Sequence, residues 1–198
     1  MRNYISSPLA LALGTVLLLT GCAGNPLRSY DNEMKGTVAA VRSGAIDQAL
    51  DEVQRAFDSL PDLRTLRLHG DCHPGNILWR DGPLFVDLDD CRTGPAIQDL
   101  WMMLSGERHE QQIQLDTLLA GYEEFMEFDP RELALIEPLR AMRIVHYMAW
   151  LARRWEDPAF PRHFPWFNTD HYWRQQIATL HDQLAAPKAP PLTLMPNW

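Results

Sequence analysis

The chain has 198 residues, of which 46% are hydrophobic and 22% charged, and its formal net charge is −8. This size and this hydrophobic content predict one ordinary globular domain and exclude a wholly disordered chain. The acidic balance argues against nucleic acid as a partner, and 3 Cys are too few for a disulfide scaffold. The 18 basic residues include only two lysines, Lys35 and Lys188, so a mechanism that needs a buried lysine has few candidates.

Residues 1–21 have the pattern of a secretory signal peptide. A single Arg2 precedes an apolar run from Leu9 to Leu19, which is too short to span a bilayer as a helix. The run ends in Leu-Thr-Gly-Cys, which resembles the lipobox of bacterial lipoproteins. That resemblance implies lipidation of Cys22 and a membrane anchor. A chance apolar leader with a buried Cys22 is the alternative.

Residues 22–55 form a polar segment with helical periodicity, and we expect a lipoprotein-like helical piece here. Its apolar residues recur at spacings of three and four: Val38, Val41, Ala45, Ala49 and Val53. Because no second copy of this segment occurs, a helical repeat is disfavoured. The sequence therefore predicts a lone surface helix.

A strand, a loop and a hairpin follow in order. Leu66 to Leu68 reads as a short strand, and the Gly and Pro residues of 69–76 forbid regular structure. Ile77-Leu78-Trp79 and Leu84-Phe85-Val86 then flank a four-residue loop, which predicts a hairpin. If Trp79 pairs with Leu84, the register places Asn76 directly opposite Asp87.

The predicted hairpin brings together residues that suit a small hard cation. A carboxylate from Asp87 and an amide oxygen from Asn76 are oxygen ligands of the kind that Mg²⁺ takes. Asp71 stands five residues before Asn76 in the irregular loop. A carboxylate at that place could orient and deprotonate an attacking hydroxyl group.

The pattern His-x-Asp-x-x-x-x-Asn, followed by a strand ending in Asp, resembles the catalytic and metal-binding segments of protein-kinase-like phosphotransferases. Residues 69–78, His-Gly-Asp-Cys-His-Pro-Gly-Asn-Ile-Leu, and 85–90, Phe-Val-Asp-Leu-Asp-Asp, are similar to the aminoglycoside phosphotransferase and choline kinase branch. Residues 64–173 resemble the family of the bacterial stress response kinase A. That family contains ATP-dependent Ser/Thr protein kinases of the cytoplasm.

The resemblance implies a role for each matching residue. Asp71 would be the catalytic base, Asn76 and Asp87 the Mg²⁺ ligands, and Asp99 a support that hydrogen-bonds the loop from the following helix. ATP would be the phosphate donor, and a protein carrying Ser or Thr the acceptor.

Three further polar residues have supporting roles by the same resemblance. His69 belongs to the loop motif, and His73 is expected to stabilise the loop rather than to transfer a proton. Asp89 either adds negative potential for a second metal ion or belongs to a solvated acidic loop, and we expect the second.

The expected fold is α+β and mainly helical: a kinase-like C-terminal lobe over residues 56–186 with a small catalytic β-hairpin, and a Pro-rich tail over residues 187–198. Periodicity predicts helices over 96–105, 110–128, 130–155 and 169–184, with Pro138 ending or kinking the third. No Gly-x-Gly-x-x-Gly motif occurs, and neither lysine lies in a Val-Ala-Ile-Lys strand. We therefore expect the N-terminal lobe of the fold to be missing.

The sequence leaves function and location open between alternatives. One is a membrane-anchored lipoprotein whose kinase-like part only binds, and another is a kinase for a small molecule such as an aminoglycoside, choline or homoserine. In the cytoplasm Cys72 and Cys91 would be small buried thiols, whereas in an oxidising compartment they could pair. The aromatic residues between 150 and 173 are expected to pack in a core rather than to wall a pocket.

Overall fold

A computed structural model of the chain describes residues 44–155, 157–185 and 192–193. The signal-peptide pattern, Cys22, Lys35 and Lys188 lie outside the described residues, as does nearly all of the Pro-rich segment 187–198. Within the described ranges, no helix has the length and apolar character needed to cross a membrane. The chain divides into two compact units, the first containing residues 44–59 and 137–185 and the second residues 60–136 with 192–193.

Helices dominate the described chain, and the strands are short. The helices are α1 (Ala45–Asp58), α2 (Ile97–Leu100), α3 (Arg108–Tyr122), α4 (Ile136–Arg154), α5 (Ala159–His163) and α6 (Asp170–Ala185). The strands are β1 (Leu66–Leu68), β2 (Ile77–Trp79), β3 (Pro83–Phe85) and β4 (Arg92–Gly94). Turns of 3₁₀ helix lie at Pro74–Asn76, Leu88–Asp90, Trp101–Met103 and Pro130–Leu135. The expectation of a mainly helical α+β fold with a small hairpin is confirmed.

In the first unit, α1 is an integral part of the hydrophobic core. Ala45, Ala49 and Val53 are all buried because their spacing of four places them on one helix face. Helix α1 packs against α6, and Ala45 and Ala49 join the core that includes Leu151 and Leu180. The expectation of a lone surface helix is therefore wrong, and the expected boundary at residue 56 falls inside a continuous helix.

The aromatic residues of the first unit pack against one another, as the sequence indicated. Phe167 and Trp173 are each 2% exposed, with ring centroids 5.5 Å apart. Trp150 lies 5.2 Å from Phe160, and the guanidinium carbon of Arg154 lies 4.4 Å from the Trp150 ring centroid. Such offset and edge-on pairs stabilise a core beyond the area that they bury. The choice of packing over a pocket wall is confirmed for these residues.

Two prolines lie at the starts of helical segments. Asp129 caps the 3₁₀ helix that starts at Pro130 by accepting the Arg131 backbone N–H at 3.0 Å. Pro138 neither ends nor kinks a helix, because α4 begins only at Ile136. Proline is tolerated in a first turn since the N–H that it lacks has no partner within the helix there.

The second unit holds two antiparallel strand pairs. β1 pairs with β4, and that pairing sets Leu66 against Gly94. β2 pairs with β3 in the register Ile77 with Phe85, and Trp79 with Pro83. The predicted register is therefore wrong by one residue.

The shape of the turn explains the difference in register. The connection contains three residues, with Gly82 at φ 149° and the Arg80 N–H donating to the Gly82 carbonyl at 3.2 Å. The Val86 N–H then donates to the Asn76 carbonyl at 3.0 Å. Asn76 thus lies beside Val86, and Asp87 follows one residue further on.

Candidate active site

The loop between β1 and β2 is held by one carboxylate from α2. Asp99 accepts the backbone N–H of His69 through Oδ2 at 2.7 Å and that of Gly70 through Oδ1 at 2.9 Å. Hydrogen bonds to an ionised acceptor are the stronger kind, and a pair of them fixes the orientation of both peptide groups. Asp99 therefore anchors the start of the loop from the helix that follows the hairpin.

His69 joins the same loop to the end of β3. Its Nδ1 accepts the Asp71 backbone N–H at 3.4 Å, and its Nε2 lies 2.8 Å from the Val86 carbonyl oxygen. Because Nδ1 accepts, the proton is on Nε2, which donates to Val86. The ring thus links the residue before Asp87 to the backbone of Asp71.

Asp71 lies beside Asn76 and His73. The Asn76 Nδ2 donates to the Asp71 backbone carbonyl at 3.1 Å and faces its carboxylate Oδ2 at 3.5 Å. The His73 Nδ1 accepts the Gly75 N–H at 3.0 Å, and its Nε2 lies 3.5 Å from Asp71 Oδ2. The Asp71 side chain keeps 20% of its surface exposed, so its carboxylate is accessible from solvent.

Asp87 is placed by an unusual backbone conformation. Its φ of 63° and ψ of 63° lie in the left-handed region, and the 3₁₀ helix Leu88–Asp90 begins directly after it. The side chain is exposed, and so are Asp89 and Asp90. Asp90 is paired with Arg92 at 3.0 Å on the surface, where an ion pair contributes little to stability.

The donor set of this site fits Mg²⁺. Since Nδ2 of Asn76 is directed at Asp71, its Oδ1 is the atom that can serve a cation, together with a carboxylate oxygen of Asp87. Both are hard oxygen donors, and Mg²⁺ commonly takes one or two protein ligands and keeps waters. In the residues that the structure describes, this site included, His, Cys, Asp and Glu do not form a group of three that could hold a metal ion, so the donor set here consists of one carboxylate and one amide oxygen.

The two cysteines near the loop differ in environment. Cys72 is half-buried, and burial together with the charges of Asp99 and Asp71 raises the pKa of its thiol to about 11. Cys91 is exposed, so the expectation that both are buried thiols is wrong for Cys91.

One residue close to the site has no counterpart in the sequence predictions. Glu132 is only 1% exposed, and its Oε2 accepts the backbone N–H of Ile97, at the start of the helix that carries Asp99, at 2.9 Å. Burial raises the pKa of this carboxyl, the Ile97 N–H opposes that shift, and the charge of Asp129 adds to it. An acidic residue in the first turn after Asp-Pro is ordinary, so the sequence carried no signal for it.

Comparison with known proteins identifies the class to which this arrangement belongs. The profile of the Phosphotransferase enzyme family matches residues 24–136, which is more than half of the chain. The chain therefore belongs to the Phosphotransferase enzyme family, and the resemblance drawn from the loop and hairpin motifs is confirmed. The match begins well ahead of the expected boundary at residue 56.

The similar curated proteins are named as kinases. The chain is 62% identical to Stress response kinase A of Escherichia coli (strain K12) over 137 residues, covering 69% of this chain and 42% of that protein. It is 63% identical, with the same coverage, to the Serine/threonine protein kinase RdoA of Salmonella typhimurium (strain LT2). The chain thus spans less than half the length of these relatives.

A solved structure is also similar. It is the amicoumacin kinase hAmiN in complex with AMP-PNP, Ca²⁺ and Ami, with 20% sequence identity and a TM-score of 0.49. The similarity covers 75% of this chain and 46% of that chain.

Proposed function

We propose that this chain carries the catalytic loop and metal ligands of a kinase that transfers the γ-phosphate of ATP to a hydroxyl group. Family membership and 62% identity to a stress response kinase support the proposal. The observation that carries it is the amide of Asn76 directed at both the carbonyl and the carboxylate of Asp71.

Asp71 acts as the general base. Its carboxylate accepts the proton of the acceptor hydroxyl while that oxygen forms a bond to the γ-phosphorus and the bond to the bridging oxygen of ADP breaks. The electron pair of the broken bond leaves with ADP. The Asn76 amide, and His73 at 3.5 Å, orient the carboxylate for this proton transfer.

Asn76 and Asp87 would hold Mg²⁺ through their oxygen atoms. When bound, the ion neutralises charge on the phosphate oxygens of the nucleotide. Asp99 does not touch the reacting groups in this proposal, and it holds the peptide groups of residues 69 and 70 in place. Asp89, on the exposed turn, is assigned no contact with the nucleotide.

The acceptor that we propose is a Ser or Thr hydroxyl of a protein, in the cytoplasm where ATP is kept. The names of the relatives support this choice, since one is named as a serine/threonine protein kinase. Transfer to an aminoglycoside, choline or homoserine instead of protein would overturn it.

The test uses the full chain with Mg²⁺, γ-labelled ATP and dephosphorylated casein as the protein acceptor. Asp71→Asn and Asp87→Ala are each compared with Asp51→Asn, an exposed carboxylate on α1 far from the loop in sequence. We expect transfer to fall by about 100-fold or more in both site variants and to stay unchanged in the control. Transfer by the unaltered chain that does not exceed that of Asp71→Asn contradicts the proposed function.

A further inference from the structure

Glu132 is a charged side chain in the interior of the second unit. It lies in the 3₁₀ helix Pro130–Leu135, in which Leu133 and Leu135 are also buried, and 1% of its surface is exposed. A carboxylate removed from water at this depth is unfavourable unless it satisfies hydrogen-bond donors. Its Oε2 accepts the backbone N–H of Ile97 at 2.9 Å, across 35 positions of sequence.

Helix α2 is too short to hold its own orientation. It contains four residues, and its opening turn closes with the Asp99 N–H donating to the Ala96 carbonyl at 3.1 Å. A single helical turn in isolation is unstable because nucleation fixes many dihedral angles for few hydrogen bonds. Its direction therefore depends on contacts from outside, and the bond from Ile97 to Glu132 is one of them.

Two residues beyond Ile97, the same helix presents Asp99. Both oxygens of the Asp99 carboxylate are used, one on the His69 N–H at 2.7 Å and one on the Gly70 N–H at 2.9 Å. Asp71 is the next residue of that loop. A continuous set of hydrogen bonds and one helical turn thus connects Glu132 to the residue that we assign as the base.

We propose that Glu132 is a positioning residue: it anchors the first turn of α2 and thereby sets Asp99, the loop at residues 69–70 and the carboxylate of Asp71. This inference rests on the proposed function only in calling the loop catalytic. The positioning itself is a property of the backbone and is measured without any turnover. Glu132 touches none of the reacting groups, so its effect reaches Asp71 through Asp99.

The decisive measurement is amide hydrogen exchange at His69 and Gly70, followed by NMR in the full chain. Glu132→Leu leaves the Ile97 N–H without its acceptor, whereas Glu132→Gln keeps a carbonyl oxygen that can accept it. Leu119→Ala is the matched control, because Leu119 is a buried residue of α3 in the same unit. Exchange is compared at denaturant concentrations that give the Leu variant and the Ala control the same global stability.

We expect Glu132→Leu to speed exchange at His69 and Gly70 by at least about 10-fold over the Leu119→Ala control, and Glu132→Gln to restore slow exchange. Equal exchange in Glu132→Leu and the control overturns the proposal. If Glu132→Leu does not fold, Glu132→Asp withdraws the carboxylate by one methylene group, and faster exchange at both amides is again required.

A second measurement relates the positioning to phosphate transfer. We expect kcat to fall about 10-fold in Glu132→Leu with little change in the KM for ATP, and Glu132→Gln to recover most of it. If the unaltered chain transfers no phosphate, the proposed function fails while the exchange experiment still decides the role of Glu132. Loss of activity that Glu132→Gln does not recover contradicts positioning through the Ile97 bond.

Discussion

Gly70 approaches the backbone of Asp90 so closely that no side chain can stand at position 70. A Cβ atom there would lie 2.1 Å from the Asp90 carbonyl oxygen, and Gly70 has a φ of 87°. The same carbonyl accepts the Nε–H of Arg92 at 2.9 Å, so it is not free to move away. The loop that carries Asp71 is thus in close contact with the turn that follows Asp87.

Gly70→Ala is expected to lower the free energy of unfolding by roughly 3 kcal/mol, because it adds a backbone clash to an unfavourable left-handed conformation. Urea denaturation measures the change. Gly121→Ala, in α3 with no atom within 4 Å of its added Cβ, is the control and should stabilise by about 0.5–1 kcal/mol. A Gly70→Ala variant as stable as the unaltered chain would contradict the close approach.

Asp99→Ala removes the acceptor of two backbone N–H groups. We expect a loss of about 2–3 kcal/mol, because partly buried donors that lose a charged acceptor keep most of their desolvation cost. Asp99→Asn retains one carbonyl oxygen and should cost about half as much. Chemical denaturation of the three proteins tests the order, and equal stability of Ala and Asn variants would show that the paired hydrogen bonds contribute little.

The thiols of Cys72 and Cys91 should react at different rates. With a pKa of about 11, Cys72 has little thiolate at pH 8, and it is also half-buried. We expect iodoacetamide to alkylate the exposed Cys91 at least about 10-fold faster, as followed by peptide mass mapping. Asp71→Asn removes one of the charges that raise the pKa of Cys72 and should speed its alkylation. After denaturation the two thiols should be alkylated at equal rates. Equal rates in the folded chain would contradict the half-buried, negatively charged environment of Cys72.

Stability should decline with rising pH because of Glu132. Burial raises the pKa of this carboxyl above its ordinary 4.5, so above that pH the unfolded chain loses the proton first. The free energy of unfolding therefore falls from about pH 4.5 up to the raised pKa of the folded state. Glu132→Gln should flatten this part of the profile, measured by thermal melts across pH. If the stability of Glu132→Gln declines with pH by the same amount, the decline is caused by other groups.

Asp129, close to Glu132 in sequence, changes stability with pH in the opposite direction. Its bonds to Arg131 lower the pKa of its carboxyl below 3.8, so the stability that it contributes is present above that value and lost in stronger acid. The Asp129 contribution to stability changes below pH 3.8, and the Glu132 contribution changes above pH 4.5. Glu132→Gln removes only the second, so comparing its pH profile with that of the unaltered chain separates the two.

The packing of α1 in the core can be tested by placing a charge on its buried face and, separately, on its exposed face. Ala49 is 0% exposed, so Ala49→Asp buries a charge and is expected to cost about 3 kcal/mol or more. Gln48→Asp makes the same charge change on the adjacent exposed residue and should have an effect below about 0.5 kcal/mol. Thermal unfolding compares the two. Similar small effects would mean that α1 does not pack in the core.

Part of the candidate site was readable from the sequence because it depends on local chemistry. The Gly and Pro residues between His69 and Asn76 predict an irregular loop, and the structure places Asp71, His73 and Asn76 around one another there. The hairpin was also predictable from two apolar runs around a turn. Its register was not, since the choice between a three-residue and a four-residue connection depends on the conformation of Gly82.

Contacts between segments distant in the chain escaped prediction for a related reason. Periodicity shows that Ala45, Ala49 and Val53 share one face, but α6, the helix against which α1 packs, lies more than a hundred residues later. Likewise β4, with the sequence Arg-Thr-Gly, lacks the apolar residues that made β1 recognisable, and its pairing with β1 exists only because the intervening loop and hairpin return the chain.

By itself, the amino-acid sequence determined the family, the mainly helical α+β fold and the identity of the polar residues in the loop at residues 69–76, because motif spacing and periodicity are properties of neighbouring residues. Three features were decided only by the tertiary structure. The hairpin register sets Asn76 beside Val86 and not beside Asp87, and the approach of the Asp90 carbonyl leaves room only for glycine at position 70. The third is the burial of Glu132 against the first turn of α2. Each of these depends on a close approach between residues that are not neighbours in the chain. Such approaches are set by how the whole unit packs.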